Sequence, residues 1–127
     1  MTHDIVVVGG GTGGTVLANR LAEQLGPELA AGEARVTLLT DDPDHVYKPT
    51  FLYVPFGLKT VADARRPLAE LVDDRIDIRL DRVTGIDTDG KRLDVESGGT
   101  VGYDQLVLAM GAQLVPEEGP GLVEGGH

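Results

Sequence analysis

Ile5-Val6-Val7-Val8-Gly9-Gly10-Gly11-Thr12-Gly13-Gly14 is the stretch from which the fold is read. Ile5 to Val8 is short, β-branched and apolar without interruption, the pattern of a strand covered on both faces in a parallel sheet. The glycines stop that strand. Behind them Val16, Leu17, Leu21 and Leu25 recur at helical spacing, with Ala18 and Ala22 filling the same stripe. Gly26-Pro27 is expected to end the helix. A polar, alanine-bearing stretch then leads to a second strand, Arg35-Val36-Thr37-Leu38-Leu39. The first 40 residues therefore read as strand, glycine turn, helix, strand.

Gly9, Gly11 and Gly14 stand at G-x-G-x-x-G spacing. The spacing matters because a pyrophosphate must approach backbone N–H groups at a helix N-terminus, which carries about half a positive charge. A side chain at the first or second glycine would obstruct the turn or the phosphate, and the third lets the helix close on the strand. Glycine-rich turns are common, so the alternative is a purely structural turn. The strand before and the patterned helix behind favour dinucleotide binding. A P-loop is disfavoured because no Gly-Lys-Ser/Thr follows. At the end of the second strand, where an acid is expected to meet ribose hydroxyls, stand Thr40 and then Asp41. Thr40-Asp41-Asp42-Pro43 also reads as a simple strand-ending turn.

Downstream the pattern changes. Pro43, Pro49, Pro55 and Gly57 lie among the aromatics Tyr47, Phe51, Tyr53 and Phe56, which argues for a long ordered loop and against a helix over 41–60. Residues 61–72 are expected to hold a short helix interrupted near Pro67. Ile76 to Leu80 alternates, Val83 to Asp87 reads as a strand, and Asp89-Gly90 signals a tight hairpin. With Leu93 to Val95 and Val101 to Tyr103, these form an expected antiparallel meander. Leu106 to Ala109 is a second fully apolar strand ending at Gly111. The expected division is a domain over 1–115 and a Gly-, Pro- and Glu-rich tail over 116–127 without an element of its own.

Composition narrows the function. The chain has 127 residues, enough for one core, and 41% hydrophobic content marks it as globular. A net charge of −10, with Lys only at 48, 59 and 91, repels nucleic acid and anionic membranes. Neither is an expected partner of this segment. The Asp excess fits a salt-adapted source and an ordinary acidic protein equally. With no cysteine, disulfides and thiolate chemistry are excluded within the chain. His3, His45 and His127 lack ligand spacing and are expected on the surface, so no metal is expected. The N-terminus lacks the basic region of a signal peptide, which makes a cytoplasmic location the default.

An inserted proline-rich loop and a meander before the last apolar strand look like the FAD domain of the pyridine nucleotide-disulfide oxidoreductase superfamily. The implied fold is α/β: a Rossmann-like, three-layer FAD/NAD(P)-binding domain with a parallel sheet, helices on one face and an antiparallel β-meander on the other. Ile5 to Gly14, Val36 to Asp41, Tyr47-Lys48-Pro49 and Tyr103 to Gly111 together resemble the sulfide:quinone oxidoreductases, with flavocytochrome c sulfide dehydrogenases and type II NADH dehydrogenases as relatives.

That resemblance implies FAD as cofactor. Gly9, Gly11, Thr12, Gly13 and Gly14 would cradle its pyrophosphate, and Thr40 and Asp41 would face the adenosine ribose. Lys48 and Pro49 would lie on the flavin side, and the Val83 backbone would meet adenine. Ala109 and Gly111 would close over the cofactor, although Met110 stands where the family has threonine. Pro49 also reads as a loop-shaping residue, Ala109 to Gly111 as an ordinary strand end, and the loop aromatics as loop packing. The resemblance further implies sulfide (or NADH) and quinone as partners of a larger parent, peripheral on the inner face of the membrane. The redox cysteines, a second nucleotide-binding unit and a later Gly-Asp segment of that family have no counterpart here. The chain is thus expected to be an N-terminal segment, inactive alone and prone to self-association through an open sheet edge. A stand-alone nucleotide-binding module is the alternative.

Overall fold

A computed structural model describes residues 1–125. Its centre is a parallel sheet in the order β5-β2-β1-β9. β1 (His3–Val8) runs beside β2 (Ala34–Thr40), from His3↔Ala34 to Val8↔Leu39, and beside β9 (Gln105–Leu108), from Ile5↔Gln105 to Val8↔Leu108. β5 (Asp77–Leu80) completes it against β2. Because side chains alternate faces along a strand, the apolar run of β1 feeds two cores. Ile5 and Val7 join Val36 and Leu38 under α1 (Thr12–Gln24), where Ala18 and Ala22 are fully buried. Val6 and Val8 join Leu39 against Leu93 and Val95 of the meander. The three expected layers are present: the parallel sheet, helices on one face and the antiparallel meander on the other.

Several local readings differ. The alternating segment 76–80 is not part of the meander. β5 is the edge strand of the parallel sheet, with Ile78 turned toward the helical core and Asp77 and Arg79 toward the other face. Its alternation comes from lying at the edge of the parallel sheet. The meander has three strands, β6 (Val83–Asp87), β7 (Arg92–Val95) and β8 (Thr100–Gly102). The Asp89-Gly90 turn is longer than a two-residue hairpin: Asp87 pairs with Arg92, its carboxylate accepts from the Gly90 N–H at 2.8 Å, and the positive φ falls on Lys91.

Gly26-Pro27 ends α1 but also opens α2 (Gly26–Ala31), since proline is tolerated in a first helical turn. The 41–60 segment does contain helix, a 3₁₀ stretch at Lys48–Tyr53, preceded by β3 (Asp44–Val46). β3 pairs antiparallel with β4 (Arg65–Pro67), so the segment is a structured excursion. A 3₁₀ turn at Ala62–Ala64 precedes β4, and Pro67 caps α3 (Leu68–Leu71), whose Leu68 is fully buried. The tail is not featureless: it forms a 3₁₀ turn at Pro116–Glu118 and α4 (Leu122–Gly125). The last two positions of that tail, including His127, lie outside the described residues.

Asp81 ties two layers together. Its carboxylate, on a side chain 8% exposed, accepts from Ser97 Oγ at 2.5 Å, from the Ser97 N–H at 3.2 Å and from the Arg82 N–H at 2.9 Å. The link joins the end of β5 to the β7–β8 turn. The Ser97 hydroxyl, above all, holds this carboxyl below the usual Asp range, against the opposing effect of desolvation. A depressed folded pKa contributes stability that is present above about pH 4 and lost as the pH falls through the lower folded value. Asp81→Asn should lower Tm at pH 7 and shrink the fall in Tm below about pH 4, as measured by thermal melts across pH.

Candidate functional site

The glycine turn lies between β1 and α1, and its glycines do different work. Gly9 has φ +111°, its N–H donates to Leu39 O at 2.8 Å, and a Cβ there would strike the Ala109 carbonyl just past the neighbouring strand β9. A Cβ on Gly14 would strike the carbonyl of Gly9 itself, so α1 approaches the turn as closely as backbone allows. Gly11 differs from both. At φ −74° it is unstrained, and a Cβ would find nothing within 4 Å. Gly13 is also undemanding, its nearest neighbour being Ala109 Cβ at 4.0 Å. Gly10, which the motif does not single out, is closed in: a Cβ would lie 2.8 Å from Leu68 Cδ1 and 3.0 Å from Thr40 Oγ1.

The start of α1 carries donors without a side-chain partner. Gly11 is its N-cap, no side chain caps it, and the first turn holds no acid. Uncapped N–H groups and the positive end of a helix dipole suit an anion. Gly9, Gly10 and Gly11, which lead into that helix start, line a cleft of about 350 Å³ that reaches past the ends of β2 and β5. Gly9, Gly11, Thr40, Asp41, Lys48 and Val83 all line this cleft, so half of the expected site residues meet there. Thr12, exposed at the helix start, faces a second cleft with His45 and Tyr47. Pro49 and Gly111 are exposed outside both, and Gly14 is packed away. Met110 lines the first cleft in place of Ala109 and Gly111.

The acids of the cleft are partly offset by arginines. Asp41, Asp42, Asp44 and Asp81 line it, which alone would oppose an anion. Asp41 is bridged by Arg82, 3.1 Å from Nη2, and Asp42 and Asp44 share Arg65, each at 3.2 Å. These pairs are half-exposed and contribute little to stability, but with Arg79, 3.5 Å from Asp81, they set three cations against the four acids. Lys48, on the same wall, is in no ion pair among the described residues and is a fourth cation against those four acids. Thr40 is 6% exposed, and its Oγ1 donates to Asp42 O at 3.2 Å while accepting from the Asp42 N–H at 3.3 Å. Its one hydroxyl proton is committed to the turn, which leaves the Asp41 carboxylate as the more available acceptor for a ligand.

The sequence reading missed Gly10, Arg82 and His45. His45 is not a plain surface residue: it is half-buried, with Nδ1 3.2 Å from Gly10 O. Isolated spacing carries no signal for it, since the contact spans 35 residues. Among the described residues no cluster of three or more potential metal ligands occurs.

The family model for pyridine nucleotide-disulphide oxidoreductase matches residues 3–127. The chain belongs to that family. It is 34% identical over 116 residues to sulfide-quinone reductase of Aquifex aeolicus, covering 91% of this chain and 26% of that protein. An NADH dehydrogenase-like protein of Mycobacterium tuberculosis is 33% identical over 125 residues, covering 96% of this chain and 30% of its own length. The solved structure of the sulfide:quinone oxidoreductase from Aquifex aeolicus superposes with a TM-score of 0.75 at 28% identity, over 89% of this chain and 25% of the other. The chain thus spans about a quarter of the length of the curated relatives it matches.

The glycines separate packing from openness, and stability should show it. Gly14→Ala must push α1 off the turn, at about 1–3 kcal/mol or more. Gly11→Val, at an unstrained and open position, should stay within about 1 kcal/mol of the parent. Urea unfolding of the two variants measures both.

Proposed function

We propose that this chain supplies the adenine-dinucleotide half of an FAD site in an oxidoreductase that carries electrons from sulfide to quinone. The observation that carries the reading is the uncapped N-terminus of α1 facing an open Gly11, beside a cleft that ends at Asp41 and Val83. The similarity to sulfide-quinone reductases across nearly all of the chain supports FAD, sulfide and quinone.

In this reading the N–H groups around Gly11, Thr12 and Gly13 hold the pyrophosphate, where a Cβ at Gly11 would fill the space the phosphate needs. Gly9 and Gly14 keep the backbone close enough to form that cradle. Asp41 accepts from the adenosine ribose, with Thr40 shaping the turn that presents it, and the Val83 backbone meets adenine. Lys48 and Pro49 lie on the flavin side, with Ala109 and Gly111 closing the far wall. Bound flavin would supply the electron-accepting chemistry, and the protein's part is to bind and orient it.

A second reading has a specific observation behind it: 33% identity to an NADH dehydrogenase-like protein over 125 residues. There the donor would be NADH, with the same FAD cradle. In either case the work is placed at the membrane periphery on the cytoplasmic side. No described helix is long and apolar enough to cross a membrane, and the acidic surface of this segment disfavours its own contact with anionic lipid. The outer edge of β9, which pairs only with β1 among the described strands, supports self-association.

Titration of the chain with FAD and with NAD, followed by flavin fluorescence and difference absorbance, should show preference for FAD. Gly11→Val should abolish that binding without loss of fold. Equal or stronger binding of NAD, or an unaffected Gly11→Val variant, would overturn the reading. Sulfide-dependent against NADH-dependent quinone reduction by a longer protein carrying this chain separates the two donors.

A further inference from the structure

The carbonyl of Gly10 is held from outside the turn by two elements. Thr15 Oγ1, on α1, donates to it at 3.2 Å, and His45 Nδ1, on β3, lies at 3.2 Å on hydrogen-bonding terms. A carbonyl oxygen only accepts, so Nδ1 carries the proton and a neutral His45 is the Nδ1–H tautomer. The Gly10–Gly11 peptide is trans, as no cis peptide bond occurs among the described residues. In a trans peptide the C=O and the next N–H point in opposite directions. Holding Gly10 O toward His45 and Thr15 therefore turns the Gly11 N–H away from them.

His45 is itself well anchored. β3 pairs with β4 through Asp44↔Pro67, His45↔Arg66 and Val46↔Arg65. Arg65 grips Asp42 and Asp44, and the Leu68 N–H donates to Pro43 O at 2.9 Å. Leu68 then fills the space beside Gly10. The 41–72 excursion thus buttresses the glycine turn alongside α1, to which Asn19 joins it by donating to Leu71 O at 2.9 Å.

We propose that His45 is a positioning residue of the dinucleotide site, which holds Gly10 O so that the Gly11 N–H is aimed at the pyrophosphate. The proposal deepens the FAD reading and rests on it for the identity of the anion. The geometric part stands without any ligand. Removing one neutral hydrogen bond that only orients the cradle should weaken binding about fivefold.

The test uses the full chain, labelled with ¹⁵N and ¹³C, in two arms. Without ligand, a scalar coupling between His45 Nδ1 and the Gly10 carbonyl carbon is expected. His45→Ala should shift the Gly11 amide and speed its exchange, and His45→Gln, which retains a donor, should restore both in part. With FAD, His45→Ala should bind about fivefold more weakly at matched thermal stability, and His45→Gln should recover most of that loss. An absent coupling in the unsubstituted chain overturns the proposal, even if His45→Ala fails to fold. A His45→Ala variant with unchanged Gly11 resonances and unchanged FAD affinity also overturns it. Failure of the unsubstituted chain to bind FAD defeats the flavin reading instead, and the ligand-free arm then decides whether His45 orients the turn.

Discussion

Backbone packed on backbone at the glycine turn is the constraint on which the rest of the structure depends. Gly9 lies against the Ala109 carbonyl and Gly14 against the carbonyl of Gly9, at separations no side chain would allow. These contacts bring three elements to one point: the end of β1, the end of β9 and the start of α1. The N–H of Gly9 adds β2 through Leu39 O. Any cradle for an anion at this place requires that convergence, because backbone donors act only at short range and need close approach.

Around that point the protein is built to leave the helix start free. α1 has neither a capping side chain nor an acid in its first turn, an arrangement that forgoes a local stabilisation worth about 1 kcal/mol. Elsewhere the chain uses its side chains for capping and tying: Asp87 holds the Gly90 N–H, Asp81 joins β5 to the β7–β8 turn, and Asp63 holds Thr60. The acid surplus is organised in the same way at the cleft, where Arg82 pairs with Asp41 and Arg65 is shared by Asp42 and Asp44. A strongly acidic chain in this way limits the negative charge at the cleft, where Lys48 is in no ion pair among the described residues.

The excursion between β2 and β5 has a structural role that its composition hides. Its prolines and aromatics suggest a loop, and much of its apolar surface is exposed, including Leu52 and Phe56. Yet it contributes β3, β4 and α3, buries Leu68 completely and delivers His45 to Gly10. The relatives matched by this chain are about four times its length.

The sequence by itself determined the frame: the doubly covered strand Ile5 to Val8, the glycine turn, the helix behind it, the strand Val36 to Leu39 and the late strand Leu106 to Leu108. Those features are legible because apolar periodicity and glycine act locally, over a few residues. Tertiary structure decided the rest. Alternation at Asp77 to Leu80 could not say whether its hydrogen bonds went to the meander or to β2, because an edge strand and a hairpin strand bury side chains with the same period. Position in the motif gave Gly14 its packing role but could not show that Gly9 packs on Ala109, about 100 residues away in sequence and brought close through β1 and β9. Nor could it place His45 on Gly10, or commit the Thr40 hydroxyl to Asp42 and leave Asp41 with Arg82. Those roles come from which backbone and side-chain groups meet across strands, and only the folded chain brings them together.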